Sequence, residues 1–298
     1  MIRNVTRFPD SRTEARASGG GAVDDDVSLD AGLPDPSEDL QRMPHRQRRG
    51  IYLLPNSFTA AALFGGFYAI VMAMGQRYDL AAVAIFAAMV LDSLDGRVAR
   101  LTHTQSEFGA QFDSLADMVS FGAAPALIMY QWSLHGLGKL GWLAAFVYCA
   151  GAALRLARFN TNIGAVDKNY FQGLPSPAAA ALVAGFIWIM SDADVRGTHV
   201  PWVAFAITVF AGVTMVTNVP FYSFKAVSLR RSVPFITLFL IVLLIGLIAY
   251  KPPLVLFGLF VVYALSGYAV YAWRRMNGKS ASVISTSTDE PDERGLHH

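Results

Sequence analysis

Apolar stretches of about 20 residues recur between Ile51 and Trp273, and that is the helix length needed to cross the hydrocarbon core of a bilayer. Backbone crossing lipid must satisfy every N–H and C=O internally, so such stretches become helices rather than loops. Charge content agrees, since only 15% of the 298 residues are charged, against about 25% in soluble domains. The expected fold is all-α, a polytopic transmembrane helical bundle of about eight spans. These fall near 51–75, 79–101, 106–131, 139–158, 175–191, 199–218, 233–250 and 254–273. Gly, Pro or charged residues break the runs, as at Gly75-Gln76-Arg77 and Lys251-Pro252-Pro253.

Residues 1–45 and 277–298 are rich in small and polar residues and poor in large apolar ones. Such segments bury too little surface to offset their ordering entropy, so both are expected as disordered tails flanking a membrane domain at 46–276. The single cysteine, Cys149, lies inside an apolar run. This excludes an intrachain disulfide and a cysteine-rich metal site.

Lys and Arg are unevenly shared between the two sets of loops. Fifteen fall on one side: Arg42, Arg46, Arg48, Arg49, Arg97, Arg100, Arg155, Arg158, Lys168, Lys225, Arg230, Arg231, Arg274, Arg275 and Lys279. Four fall on the other: Arg77, Lys139, Arg196 and Lys251. The basic side is expected to be cytoplasmic, and an even number of spans puts both termini there. A six-span bundle with two re-entrant segments has the same parity.

Chemistry concentrates in residues 91–117. Asp92 and Asp95 stand i, i+3 near the cytoplasmic end of the second span, and Asp113 and Asp117 stand i, i+4 near the start of the third. A short turn around His103 to Glu107 makes the two helices antiparallel neighbours, so the four carboxylates converge at one depth. Four carboxylates in a membrane are costly unless neutralised. Hard divalent cations with oxygen ligands do this, and a pair of them suits displacement at a diphosphate. Gly96 permits close approach of a ligand to the backbone, and Arg100, one turn on, can pair with phosphate oxygens. Helix-pairing aspartates or an ion pathway are the alternatives for any one of these residues. A transporter, however, would spread its acidic residues through the membrane, and a membrane prenyltransferase would separate its two acidic clusters widely in sequence.

The pattern Asp-x2-Asp-Gly-x2-Ala-Arg-x8-Gly-x3-Asp-x3-Asp is met at Asp92, Asp95, Gly96, Ala99, Arg100, Gly109, Asp113 and Asp117, eight fixed positions within 26 residues. It resembles the signature of the CDP-alcohol phosphatidyltransferase family. The resemblance implies a six-helix core, here with two further spans, and usually a homodimer. It also implies two divalent cations, Mg²⁺ or Mn²⁺, held by the first three aspartates. Asp117, itself a further candidate metal ligand, is the implied base for the acceptor hydroxyl. The CDP moiety is implied near Asp92, Gly96, Ala99, Arg100 and Gly109.

Three other segments bear on the branch of that family: the first resembles an element of the family at large, and the second and third taken together resemble the phosphatidylserine synthase branch. In Leu54-Pro55-Asn56-Ser57-Phe58-Thr59, the resemblance implies that Asn56 and Thr59 help hold the nucleotide; a helix-opening proline with a nearby cap is the alternative. In Arg155-Leu156-Ala157-Arg158-Phe159-Asn160, either arginine could bind an acceptor carboxylate or phosphate, or both could be interface anchors. Phe171-Gln172-Gly173-Leu174-Pro175-Ser176-Pro177 opens the fifth span, where Gly173 is a candidate for an anionic acceptor. Asn218 to Lys225 completes the likeness. The branch implies CDP-diacylglycerol and L-serine as substrates, no nucleic-acid partner, and a site on the cytoplasmic face of the inner membrane. Glycerol 3-phosphate, inositol phosphate or choline would be alternative acceptors for the same chemistry.

Overall fold

The computed structural model describes residues 45–102, 106–161, 170–222 and 235–277. Except for His45 and Asn277, the expected tails lie outside them, as do Lys168, Lys225, Arg230, Arg231 and most of the turn around His103. Among the described residues there are eight helices: α1 (His45–Met74), α2 (Tyr78–Leu101), α3 (Glu107–Trp132), α4 (Lys139–Thr161), α5 (Ser176–Asp192), α6 (Pro201–Val216), α7 (Phe235–Tyr250) and α8 (Pro252–Met276). Pro201 and Pro252 occupy the first helical positions of α6 and α8, where a missing N–H costs nothing. Four helical segments are long and apolar enough to cross a membrane: Asn56–Met74, Glu107–Trp132, Lys139–Thr161 and Pro252–Met276. Helix α2 carries Asp92, Asp95, Arg97 and Arg100 in its C-terminal half, and α5, α6 and α7 are only 16–17 residues long.

Small side chains set how closely these helices approach. Helices α1 and α2 form an antiparallel hairpin through Gly75, Gln76 and Arg77, with Gln76 in the left-handed region at φ 59°. Their shared face buries Ala69, Ala73, Ala81, Ala82, Ala84, Ile85 and Ala88. Alanine faces let helix backbones come close where lipid supplies no hydrophobic drive for association. Helix α5 is the centre of the bundle. It is buried almost all round from Ser176 to Ile187 and packs on α2 and α8, as a helix apolar on every face should. Helix α7 is the opposite case, with no buried residue.

Three features differ from the sequence expectation. Helix α1 begins at His45, so Pro55 is an interior residue and not the helix opener; the apolar run on both sides carries the helix past one lost N–H bond. Between α4 and α5, and again after α6, the chain forms two short strands, β1 (Tyr170–Gln172) and β2 (Pro220–Tyr222). They pair antiparallel with Phe171 opposite Phe221. Extended backbone next to a bundle needs partners for its polar groups, and the two connections supply them to each other. Helix α3 contains a π-helical turn at Met118–Ala123, immediately after Asp117.

Partners on other helices hold this π turn. The Tyr148 hydroxyl on α4 donates to the Phe121 carbonyl at 3.0 Å, and Ser120 Oγ donates to the Ala62 carbonyl on α1 at 3.0 Å. Gly66 lies flat on the turn, where a Cβ would come within 2.6 Å of Ser120 Cα. Backbone at that distance cannot rotate away. Gly66→Ala is therefore expected to destabilise the protein by about 1–3 kcal/mol, read as a lower thermal unfolding temperature in detergent. Gly258→Ala is the control, because a Cβ there meets no atom within 4 Å.

Candidate active site

The C-terminal half of α2 and the N-terminal end of α3 bring their aspartates together. Ser106 caps α3, its hydroxyl accepting from the Gly109 N–H at 3.0 Å. This fixes the start of the helix and hence the direction of Asp113 and Asp117 one and two turns later. Carboxylate oxygens of Asp92, Asp95 and Asp113 lie within 4.8 Å of one another. At an effective dielectric near 20, each such pair of charges repels by about 3 kcal/mol. Three pairs together approach the whole stability of an ordinary fold. Such an arrangement is relieved by a counter-charge or by a shared proton.

The remaining contacts show which counter-charge fits. Thr59 Oγ1 donates to Asp95 Oδ2 at 2.8 Å, both residues being buried, and so turns that carboxylate. Asp113 Oδ1 is buried without a hydrogen-bond partner among the described residues. An orphaned oxygen beside two other carboxylates fits a hard divalent cation with oxygen ligands, and the donor set contains no softer atom. Asp117 is not part of this three-carboxylate group. It is turned toward the Asp92 carboxyl, within hydrogen-bonding range, and toward the charge of Arg155.

Beside the cluster lies an open cleft of about 200 Å³ lined by Asn56, Thr59, Asp95, Gly96, Ala99, Arg100, Ser106, Gly109, Ala110 and Asp113. Asn56 and Thr59 stand i, i+3 on α1 and so share the face of the helix that looks into it. A Cβ on Gly96 would touch only the Arg100 guanidinium, at 3.8 Å, whereas one on Gly109 would press on Ser106 Oγ and Asn56 Oδ1 at 3.1 and 3.3 Å. Glycine at both positions keeps the cleft wide. Asp117 and Arg155 do not line this cleft; Arg155 Nη1 donates to Ser176 Oγ at the start of α5 at 2.7 Å.

The other two acceptor candidates lie elsewhere. Arg158 ties α4 to the end of α6, donating to the Val216 carbonyl at 2.6 Å and to Asn218 Oδ1 at 3.2 Å. Gly173 has φ 76°, donates its N–H to the Val219 carbonyl at 2.9 Å, and leaves no room for a Cβ beside the Met215 carbonyl. Its backbone donor is already used, so a turn requirement explains this glycine and an anion site at its N–H does not. Sequence reasoning assigned no role to Ser106, Ala110 or Ser176. Ser106 was legible as a serine preceding a helical run; the Ser176 contact with Arg155 spans 21 positions and leaves no local signal.

A helical membrane protein with three converging aspartates beside a cleft lined by two glycines and an arginine is the class defined so far. The family model for CDP-alcohol phosphatidyltransferases matches residues 52–214, and the chain belongs to that family, whose members generally depend on divalent metals. It is 36% identical over 219 residues to a protein of Helicobacter pylori named CDP-diacylglycerol–serine O-phosphatidyltransferase, covering 72% of this chain and 90% of the relative. Proteins of the same name from Methanocaldococcus jannaschii and Saccharomyces cerevisiae are 44% and 40% identical over 108 and 141 residues. Those alignments cover 36% and 42% of this chain and 50% of each relative.

Thr59 is a buried side chain that orients a carboxylate of the cluster from outside α2 and α3. Thr59→Val keeps its shape and removes its hydroxyl. The Mg²⁺ or Mn²⁺ concentration for half-maximal activity should rise about tenfold, as for other residues that orient metal ligands. An unchanged metal titration would show that Asp95 needs no such support.

Proposed function

We propose that this protein is a CDP-diacylglycerol–serine O-phosphatidyltransferase, which joins the phosphatidyl group of CDP-diacylglycerol to L-serine and releases CMP. The observation that carries the reading is the convergence of three aspartates on a cleft lined by Gly96, Arg100 and Gly109, with Arg155 as the candidate for the carboxylate of a small zwitterion. The shared name of relatives in bacteria, archaea and yeast supports serine as the acceptor.

In this reading the cytidine and diphosphate occupy the cleft. Gly96, Ala99 and Gly109 present backbone without bulk, Asn56 offers an amide to the nucleotide, and Arg100 pairs with phosphate oxygens. Divalent cations, two of them and Mg²⁺ or Mn²⁺, held by Asp92, Asp95 and Asp113 with Asp117 beside them, supply neutralisation of the diphosphate charge when bound. Serine enters from the cytoplasm with its carboxylate against Arg155. Asp117 accepts the proton of the serine hydroxyl. The freed oxygen forms a bond to the phosphorus that carries diacylglycerol, and the bond from that phosphorus to the CMP oxygen breaks. Its electron pair leaves with CMP. The attraction of Arg155 for the carboxylate of Asp117 keeps that residue aimed at the acceptor.

The same reading places the active site and both termini on the cytoplasmic side of the inner membrane, within a catalytic domain at 46–276 that makes about eight crossings. The gathering of Arg97, Arg100, Arg155, Arg158, Arg274 and Arg275 at helix ends supports that orientation. Helices α5 to α7, at 16–17 residues, reach about 24–26 Å at 1.5 Å per residue and suit a locally thin bilayer. A homodimer with lipid-covered outer faces completes the proposal.

The test is acceptor-dependent CMP release by purified protein given CDP-diacylglycerol and Mg²⁺ or Mn²⁺. Release with L-serine, absent with glycerol 3-phosphate, inositol phosphate or choline and lost on chelation, is expected. Asp117→Asn should lower kcat by about 100-fold or more. Release with another acceptor would overturn the assignment of serine, and near-normal turnover of Asp117→Asn would overturn the assignment of the base.

A further inference from the structure

Helix α3 changes its winding at Met118–Ala123, directly after Asp117. The Ala124 N–H bonds to the Val119 carbonyl five residues back, as in a π turn. Such a turn holds one residue more than the α-helical turn it replaces. Residues before it are thereby turned by roughly 100° about the helix axis, compared with an unbroken α-helix. The chain stays helical through Asp117, at φ −57° and ψ −44°, so the rotation is passed to Asp117 and to Asp113 one turn earlier. Beyond the turn, Ala124, Ala126, Ile128, Met129 and Trp132 are buried, and the Trp132 ring meets Phe186 of α5 edge-on. The later half of α3 is thus anchored, and the turn decides where the aspartates of the earlier half point.

Two ties from other helices hold the turn. Pro125 has no N–H for the Phe121 carbonyl four residues back, and Phe121 is fully buried. A buried carbonyl deprived of that bond gains from another donor. The Tyr148 hydroxyl of α4, itself buried, donates to it at 3.0 Å. Ser120 Oγ donates to the Ala62 carbonyl of α1 at 3.0 Å. Ala62 lies three residues after Thr59, whose hydroxyl bonds Asp95. One stretch of α1 therefore holds both the turn that aims Asp113 and a carboxylate that Asp113 meets.

We propose that Tyr148 is a positioning residue for the aspartates: by holding the Phe121 carbonyl it keeps the π turn in α3, and the turn keeps Asp113, and Asp117 with it, rotated toward α2. This rests on the reading of the converging aspartates as a divalent-cation site. Without the tie the helix relaxes toward α-helical winding, which swings both carboxylates about the axis and spoils the convergence with Asp92 and Asp95.

The full chain in lipid nanodiscs is compared with Tyr148→Phe and with Thr208→Val. Thr208 is a buried hydroxyl that donates to the Ala204 carbonyl within α6, so its loss matches the loss of one buried hydroxyl without touching the turn. Mn²⁺ binding is followed by electron paramagnetic resonance, and kcat is measured with CDP-diacylglycerol and L-serine. Tyr148→Phe should weaken Mn²⁺ binding about tenfold and lower kcat about tenfold or more, while Thr208→Val changes neither. Ser120→Ala removes the other tie and carries the same expectation where Tyr148→Phe does not yield folded protein. A merely structural role would lower the unfolding temperature and leave the Mn²⁺ affinity of the folded protein at the wild-type value, and that result overturns the proposal. Equal weakening by Thr208→Val overturns it too. Wild-type protein that binds no Mn²⁺ defeats the cation reading and this inference with it, whereas wild type that binds, with both turn variants unaltered, defeats this inference alone.

Discussion

The structure is organised around a repulsion. Asp92, Asp95 and Asp113 bring carboxylate oxygens within 4.8 Å of one another beside an open cleft, and like charges at that separation repel. Hydrogen bonds from the Gly96 backbone to Asp95 and between Asp117 and Asp92 offset part of that cost. The bond from Thr59 orients one carboxylate without neutralising it, and Arg155 faces Asp117 rather than the other three. A divalent cation, on which members of the family generally depend, would supply a counter-charge, and the fold supplies the frame that keeps the three groups together.

That frame is built from small residues. Ala88 and Gly65 bring α1 against α2, Gly66 brings α1 against the π turn, and Gly151 and Gly212 bring α4 against α6. Each is a close backbone approach that one methyl group would spoil. Large apolar residues face outward instead, as Phe64, Phe67, Trp142 and the whole of α7 do. This inversion is expected where the surroundings are lipid, because burying a leucine against another helix gains little over leaving it among acyl chains. Precision at the aspartates thus follows from backbone contact rather than from a large apolar core.

Much of the site was legible because its residues lie close in sequence. The i, i+3 and i, i+4 spacing of the aspartates, with Gly96, Arg100 and Gly109 on the same two helices, fixes a local geometry that brings Asp92, Asp95 and Asp113 together in the structure. Asn56 and Thr59 also arrive at the cleft, although the helix that carries them starts earlier than Pro55 suggested. The helices themselves follow from the lengths of the apolar runs. What could not be read depends on distant pairings. The contacts of Arg155 with Ser176 and of Arg158 with Val216, and the pairing of β1 with β2, join segments tens of positions apart. They decide that Arg155 faces Asp117 while Arg158 is occupied, a distinction two arginines three residues apart do not reveal. Gly173 shows the converse: a glycine in a suggestive motif whose positive φ and crowded Cβ position already account for it.

The claim on which the rest depends is that the three converging carboxylates are a divalent-cation site. Direct binding of Mn²⁺ to the purified full chain in lipid nanodiscs, followed by electron paramagnetic resonance, tests it without reference to turnover. Saturable binding of about two ions per chain, weakened at least tenfold by Asp113→Asn, is expected. Absence of saturable binding to the wild-type protein, or binding that Asp113→Asn leaves unchanged, would contradict it.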